Sequence, residues 1–185
     1  MNANNNKRLY LFDLDDTLCD TSGWKKSWSE ETDYFRLRLQ FMPDAKEVLS
    51  VLDGPKVLVT AGDKVTQTQK SLLLGVRLGL ENIFSEIHIV EKNEDKEDAF
   101  RAIAKQYREN SHENDRIWGR HVVVIGNRID SEIYYGNMLG FTTVRMLHGS
   151  YAAARPANLF QIPHHTIRNL GALLRLPCVK RKSGM

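Results

Sequence analysis

The 185-residue chain carries 26 Lys and Arg against 23 Asp and Glu, and 42% of it is hydrophobic. These are globular proportions, and a net charge of +3 does not by itself indicate a nucleic-acid partner. The length predicts a single domain over 1–185, large enough to bury roughly 70% of the surface its unfolded form exposes. Within it we expect a flexible amino terminus at 1–8 and a basic, solvated tail at 177–185 around Lys180, Arg181 and Lys182. Cys19 and Cys178 have no CxxC spacing, so neither a zinc site nor a disulfide is expected. No run approaches the ~20 apolar residues of a membrane span, and MNANNNKR is not followed by an apolar segment of signal length. A soluble, cytoplasmic protein with no membrane partner is expected.

The first element organises the rest. Leu9, Tyr10, Leu11 and Phe12 form a run suited to a buried parallel strand, whereas the following Asp13, Asp15 and Asp16 cannot lie in an interior unpaired. In an open α/β sheet, ligands gather beyond the carboxyl ends of the strands, which is where these carboxylates stand. Trp24, Trp28, Phe35 and Leu39 then recur at helical spacing and predict one amphipathic helix, whose aromatic stripe is read as core, with a roof over the acidic site as the alternative for the two tryptophans. A helix is predicted from Pro43 to Leu52, punctuated by Gly54 and Pro55. Lys56 to Val59 is a second buried strand, ending in the polar turn Thr60, Ala61, Gly62, Asp63.

A helix from Lys64 to Leu78 closes at Gly79, and Glu86 to Val90 is a third strand. The stretch EKNEDKEDAF opens a helix, acidic in its first turn, that runs to about Tyr107. Glu109 to Asp115 is a polar connection. His121 to Ile125 is the most apolar strand and ends in GNRIDSEI. A helix from Ser131 to Leu139, a strand from Phe141 to Leu147, a brief strand around Thr166 and a helix from Asn169 to Leu176 complete the chain. His164 and His165 are neighbours, would face opposite ways in an extended segment, and cannot readily share a metal. With no GxGxxG and no GxxxxGK[ST], a nucleotide-binding glycine loop has no support. Strands alternating with helices predict an α/β, three-layer Rossmann-like fold: a mainly parallel sheet of five or six strands with helices on both faces.

The pentad DLDDT, with Asp13, Asp15 and Thr17, resembles the DxDxT signature of the haloacid dehalogenase-like hydrolases. Thr60, at the end of the second strand, is similar to the family's second motif, a hydroxyl that binds phosphoryl oxygens. The family's third motif is a lysine, for which Lys96 fits best and Lys92 is the alternative. In its fourth motif a glycine is followed at once by an acid, with another acid four or five residues on. Gly126, Asp130 and Glu132 match, but Asn127 stands in place of the first acid. The resemblance spans residues 9 to 147.

It implies a Mg²⁺-dependent phosphomonoester hydrolase. Asp13 is the expected nucleophile, forming an aspartyl phosphate, and Asp15 the acid and base; Thr60 and Lys96 steady the phosphoryl group. Asp13, Asp15 and Asn127 would hold the ion, supported by Asp130 or Glu132. Two other readings are a phosphotransferase to an alcohol acceptor and a non-catalytic binding or scaffold protein on the same fold. The family usually inserts a cap domain after the first motif or between the second and third. Here both intervals are filled by predicted elements, so an open site is expected. Such a site suits a bulky phosphorylated substrate, a macromolecule for example, or a small one enclosed by a second copy of the chain in a homo-oligomer.

Overall fold

The structure is a computed structural model and describes residues 7–21, 40–80, 82–109 and 119–182. The helix expected over Trp24 to Leu39 and most of the connection from Glu109 to Asp115 lie outside the described residues. In chain order the elements are β1 (Leu9–Phe12), β2 (Cys19–Asp20), β3 (Gln40–Phe41), α1 (Ala45–Val51), β4 (Lys56–Ala61) and α2 (Lys64–Leu78). They continue with β5 (Glu86–Val90), α3 (Lys96–Glu109), β6 (Val122–Gly126), α4 (Tyr134–Met138), β7 (Thr142–Met146) and β8 (His165–Ile167). Six strands form one sheet in the order β5-β4-β1-β6-β7-β8, parallel at every junction. β2 and β3 pair antiparallel apart from it.

Alternation along β1 splits the core in two. Tyr10 and Phe12 join Leu49, Leu58, Leu74, Val123 and Leu173 on one face, while Leu9 and Leu11 join Val57, Phe100, Ile103 and Val124 on the other. Helices α1 and α2 thus cover one side and α3 the other, the three-layer arrangement that a strand buried on both faces requires. β1 is central, with β4 and β6 on its flanks. The chain order reverses there, so the carboxyl ends of β1, β4 and β6 open onto a common crevice.

Several boundaries differ from the sequence expectation for local reasons. Asp44 is left-handed at φ 67°, so α1 begins at Ala45 rather than Pro43. The helix expected from Ser131 opens earlier, as a π turn over Ile129–Ile133, in which the Ile133 N–H donates to the Arg128 carbonyl. The last helix is a 3₁₀ turn, Leu170–Arg175, capped by the Asn169 side chain.

The described part of the expected solvated tail, 177–182, keeps Arg181 and Lys182 exposed but is docked through its backbone. The Lys182 N–H donates to the Val51 carbonyl and the Asp53 N–H to that of Lys180. The Tyr10 hydroxyl accepts from the Lys180 N–H at 2.9 Å, and Cys178 is buried. Buried polar backbone needs partners, and these bonds supply them. Cys19 and Cys178 are both free thiols. Among the described residues no helix is long and apolar enough to cross a membrane.

Candidate active site

β1 ends by delivering Asp13 to the crevice, its N–H still donating to the Ile125 carbonyl of β6 at 2.9 Å. The chain then coils through one tight turn, with the Leu18 and Cys19 N–H groups both donating to the Leu14 carbonyl at 2.9 Å. This turn folds Thr17 back, so that its hydroxyl donates to Asp13 Oδ2 at 3.3 Å. Asp16, left-handed at φ 57°, accepts on its carboxylate from the Thr21 N–H at 3.0 Å and the Thr21 hydroxyl at 2.6 Å.

Lys96 answers for Asp13. At the first position of α3 it is 1% exposed, and its ammonium donates to Asp13 Oδ1 at 2.8 Å and to Glu132 Oε1 at 2.5 Å. Lys92 is exposed, so of the two lysines it is Lys96 that reaches Asp13. Glu132, also 1% exposed, accepts from the Arg128 N–H at 3.0 Å. A Cβ on Gly126 would fall 2.4 Å from Glu132 Cγ, so the side chain fits there only because the strand ends in glycine.

The site brings together most of the sequence-derived residues. Asp13, Asp15, Thr60, Lys96, Asn127 and Glu132 line one cavity of about 170 Å³. Asp130 is the exception: its carboxylate is gripped by the Arg128 guanidinium at 3.0 and 2.8 Å and does not line the cavity. Those bonds hold its carboxyl below the usual range. Of the two acids expected behind Asn127, Glu132 is therefore the one that faces the site.

Three features were not foreseen. Arg128 lies with its guanidinium 4.3 Å from the Tyr151 ring centre, and Asn93, Arg128 and Tyr151 complete the wall. Asp16, Asp20 and His148 gather at the rim, with ligand-capable atoms within 4.8 Å of one another. Gly149, at φ +66°, passes so near that a Cβ would meet Asp16 Oδ2. Lastly, α2 reaches into the site: Lys70 and Gln67 hold the Asp15 carboxylate. Pairing across 50 or more residues leaves no periodic signal, although two buried polar residues at i and i+3 on one helix are a hint.

The electrostatics follow from burial. Desolvation raises the Asp13 carboxyl to about 7, with Lys96 pulling down and Glu132 pushing up. Burial opposes the charge on Lys96, but Asp13 and Glu132 outweigh it and hold the ammonium above its ordinary pKa. Desolvation, with Asp15 nearby, pushes the Cys19 thiol up, which leaves it a packing residue rather than a reactive one.

No family model matches the chain, and no curated sequence is significantly similar to it. Solved structures are. The HAD-hydrolase YfnB from Bacillus subtilis, bound to magnesium, superposes with a TM-score of 0.60 at 16% identity over 91% of this chain and 97% of that one. A D,D-heptose 1,7-bisphosphate phosphatase from B. bronchiseptica, complexed with magnesium and phosphate, gives 0.63 at 14% over 91% and 96%. A 2-haloacid dehalogenase from Pseudomonas syringae gives 0.61 at 15% over 91% and 97%. The chain has the fold of the haloacid dehalogenase-like hydrolases.

Proposed function

We propose that this protein is a Mg²⁺-dependent phosphomonoester hydrolase that works through an aspartyl phosphate on Asp13. The observation that carries the reading is the convergence of Asp13, Asp15, Thr60 and Lys96, from three separate stretches of sequence, on one small cavity. The side chains lining that cavity that ordinarily carry charge are those of Asp13, Asp15, Asp16 and Glu132, and of Lys96 and Arg128. A phosphate dianion would be repelled from so acidic a chamber. Two unit charges 4 Å apart exchange about 4 kcal/mol at an effective dielectric of 20, so a further cation is needed.

The donors fit a hard cation. Asp13, Asp15 and Asn127 offer oxygen and no sulfur or imidazole, and Asp13 and Asn127 are 6% and 3% exposed, the oxygen-only set that Mg²⁺ prefers. Bound there, the ion would neutralise the phosphate and draw the Asp13 carboxyl back to its ionised form. Glu132 is occupied by Lys96 and the Arg128 N–H and would support the ion from behind.

In the first step a carboxylate oxygen of Asp13 bonds to phosphorus, the bond from phosphorus to the ester oxygen breaks, and Asp15 gives its proton to that oxygen. In the second, water attacks the phosphorus; Asp15 takes the proton, and inorganic phosphate leaves Asp13 free. Lys96 and Thr60 face the transferred group, where their donors would match its developing charge. The acid at position 15 favours this chemistry over dehalogenation, because a departing halide takes no proton.

The test is phosphate release from a panel of phosphate esters with Mg²⁺. Wild-type protein should turn over, and Asp13→Asn should lose at least about 10³-fold in kcat while keeping its circular dichroism spectrum. Near-full activity in Asp13→Asn would refute the assignment.

A further inference from the structure

Helix α2 packs Leu74 into the core, with Leu73 and Leu78 against it, but also buries polar side chains. Its residues Thr66, Gln67, Lys70, Ser71 and Leu74 are buried, while Val65, Leu72 and Val76 are more than 60% exposed. A soluble helix normally turns its apolar stripe inward, and burying a lysine costs several kcal/mol unless it is paired. Thr66 and Ser71 find local partners in Asp63 and the Gln67 carbonyl; the partner that Gln67 and Lys70 share is Asp15.

Lys70, 2% exposed, brings its ammonium to 2.9 Å from Asp15 Oδ1 and 3.0 Å from Oδ2. Gln67, one turn earlier, donates from Nε2 to Asp15 Oδ2 at 3.0 Å and to the Ala61 carbonyl at 3.2 Å. That second bond ties the amide to the end of β4, next to Thr60. Gly62, at φ +136°, lets the backbone pass, because a Cβ would stand 3.1 Å from Gln67 Nε2. Asp63 caps the same helix by accepting from the Thr66 N–H at 2.8 Å. The Asp15 side chain is 33% exposed, so without this clamp its carboxylate would be free to turn.

We propose that Lys70 and Gln67 are the positioning residues of the site: they fix the Asp15 carboxylate against α2, at the cavity wall, so that it meets the oxygen leaving the phosphorus. The proposal rests on the phosphatase reading above. It makes α2, which sequence motifs leave as scaffold, part of the proton-transfer apparatus. The attack by Asp13 does not depend on the clamp, because Asp13 is held by Lys96 and Thr17.

The test separates the two steps by leaving group. A nitrophenolate departs without help, whereas an alkoxide must be protonated, so p-nitrophenyl phosphate and glycerol phosphate report different demands on Asp15. Lys70→Met keeps the buried stem and removes the ammonium; Gln67→Leu removes the amide alone, should Lys70→Met fold poorly. With Mg²⁺, each should lose at least about tenfold more in kcat on glycerol phosphate than on the aryl ester, with KM little changed. Lys70→Arg, which keeps a cationic donor, should recover part of the loss.

Equal losses on both esters in stably folded variants, or no loss, would overturn the proposal. If wild-type protein hydrolyses neither these esters nor any other in the panel, the phosphatase reading fails by itself. Crystal structures of wild type and Lys70→Met then decide the positioning role: an Asp15 carboxylate displaced by more than about 1 Å upholds it, and an unmoved one overturns it.

Discussion

At Asn127 a single residue decides how tightly the site would hold its ion. Its side chain, 3% exposed, brings a neutral oxygen to a wall where the resembled family has a carboxylate, so Asn127→Asp adds one negative charge to the donor set. The half-saturating Mg²⁺ concentration should fall several-fold. Glu132→Ala should raise it, and should also cost about 3–5 kcal/mol in denaturant unfolding, because Lys96 keeps only Asp13 as a carboxylate partner in a buried place. Asp130, paired with Arg128 outside the cavity, makes the useful contrast: Asp130→Ala should leave the Mg²⁺ dependence where it is. Metal titrations of activity in the four proteins check all three expectations, and identical curves would remove this loop from the metal site.

At the scale of elements, α2 shows how a helix end can be tuned by pH. Asp63 accepts from the Thr66 N–H and the Thr66 hydroxyl, and these bonds lower its folded-state pKa. A depressed carboxyl stabilises the fold above its unfolded pKa, near 3.9, and loses that contribution as the pH falls through the lower folded value. Asp63→Ala should therefore lower the melting temperature at pH 7, with the gap to wild type narrowing below about pH 4. Melting curves at pH 7 and pH 3 read this directly; a gap that widened in acid would contradict the cap.

The same helix marks the limit of what the sequence discloses. Its ends were legible, since Gly79 adopts the left-handed conformation that closes it. β1, a short apolar run, and β5, in which Ile87 and Ile89 alternate with Glu86 and His88, matched to the residue. The motif residues on strand ends were legible because a carboxylate or hydroxyl after a buried strand has nowhere to go but the crevice. What stayed hidden depends on distant parts of the chain. Lys70 meets Asp15 across 55 residues, the tail docks through backbone bonds that carry no side-chain signal, and Asp130 turns outward because Arg128 captures it.

At the scale of the molecule, the issue is how much of a substrate the site encloses. Between Thr60 and Lys96 the described chain is taken up by α2 and β5, which leaves no room there for an inserted domain. Between Thr17 and Thr60, residues 22–39 lie outside the described residues, flanked by β2 and β3. The cavity is about 170 Å³, below the roughly 300–1,000 Å³ of pockets that enclose a drug-sized ligand. On the phosphatase reading a phosphoryl group would fill most of it, and a leaving group would project beyond the cavity. Small esters with leaving groups of similar acidity should therefore be poorly discriminated, with kcat/KM values within about tenfold of one another. Bulky phosphorylated substrates, which touch surface beyond the cavity, should exceed them. Enclosure by a second copy of the chain would appear instead as selectivity among small esters that fades on dilution. Assays over a range of protein concentrations, with the solution mass measured at each, distinguish the two, and a monomer with strong selectivity for one small ester would contradict the open site.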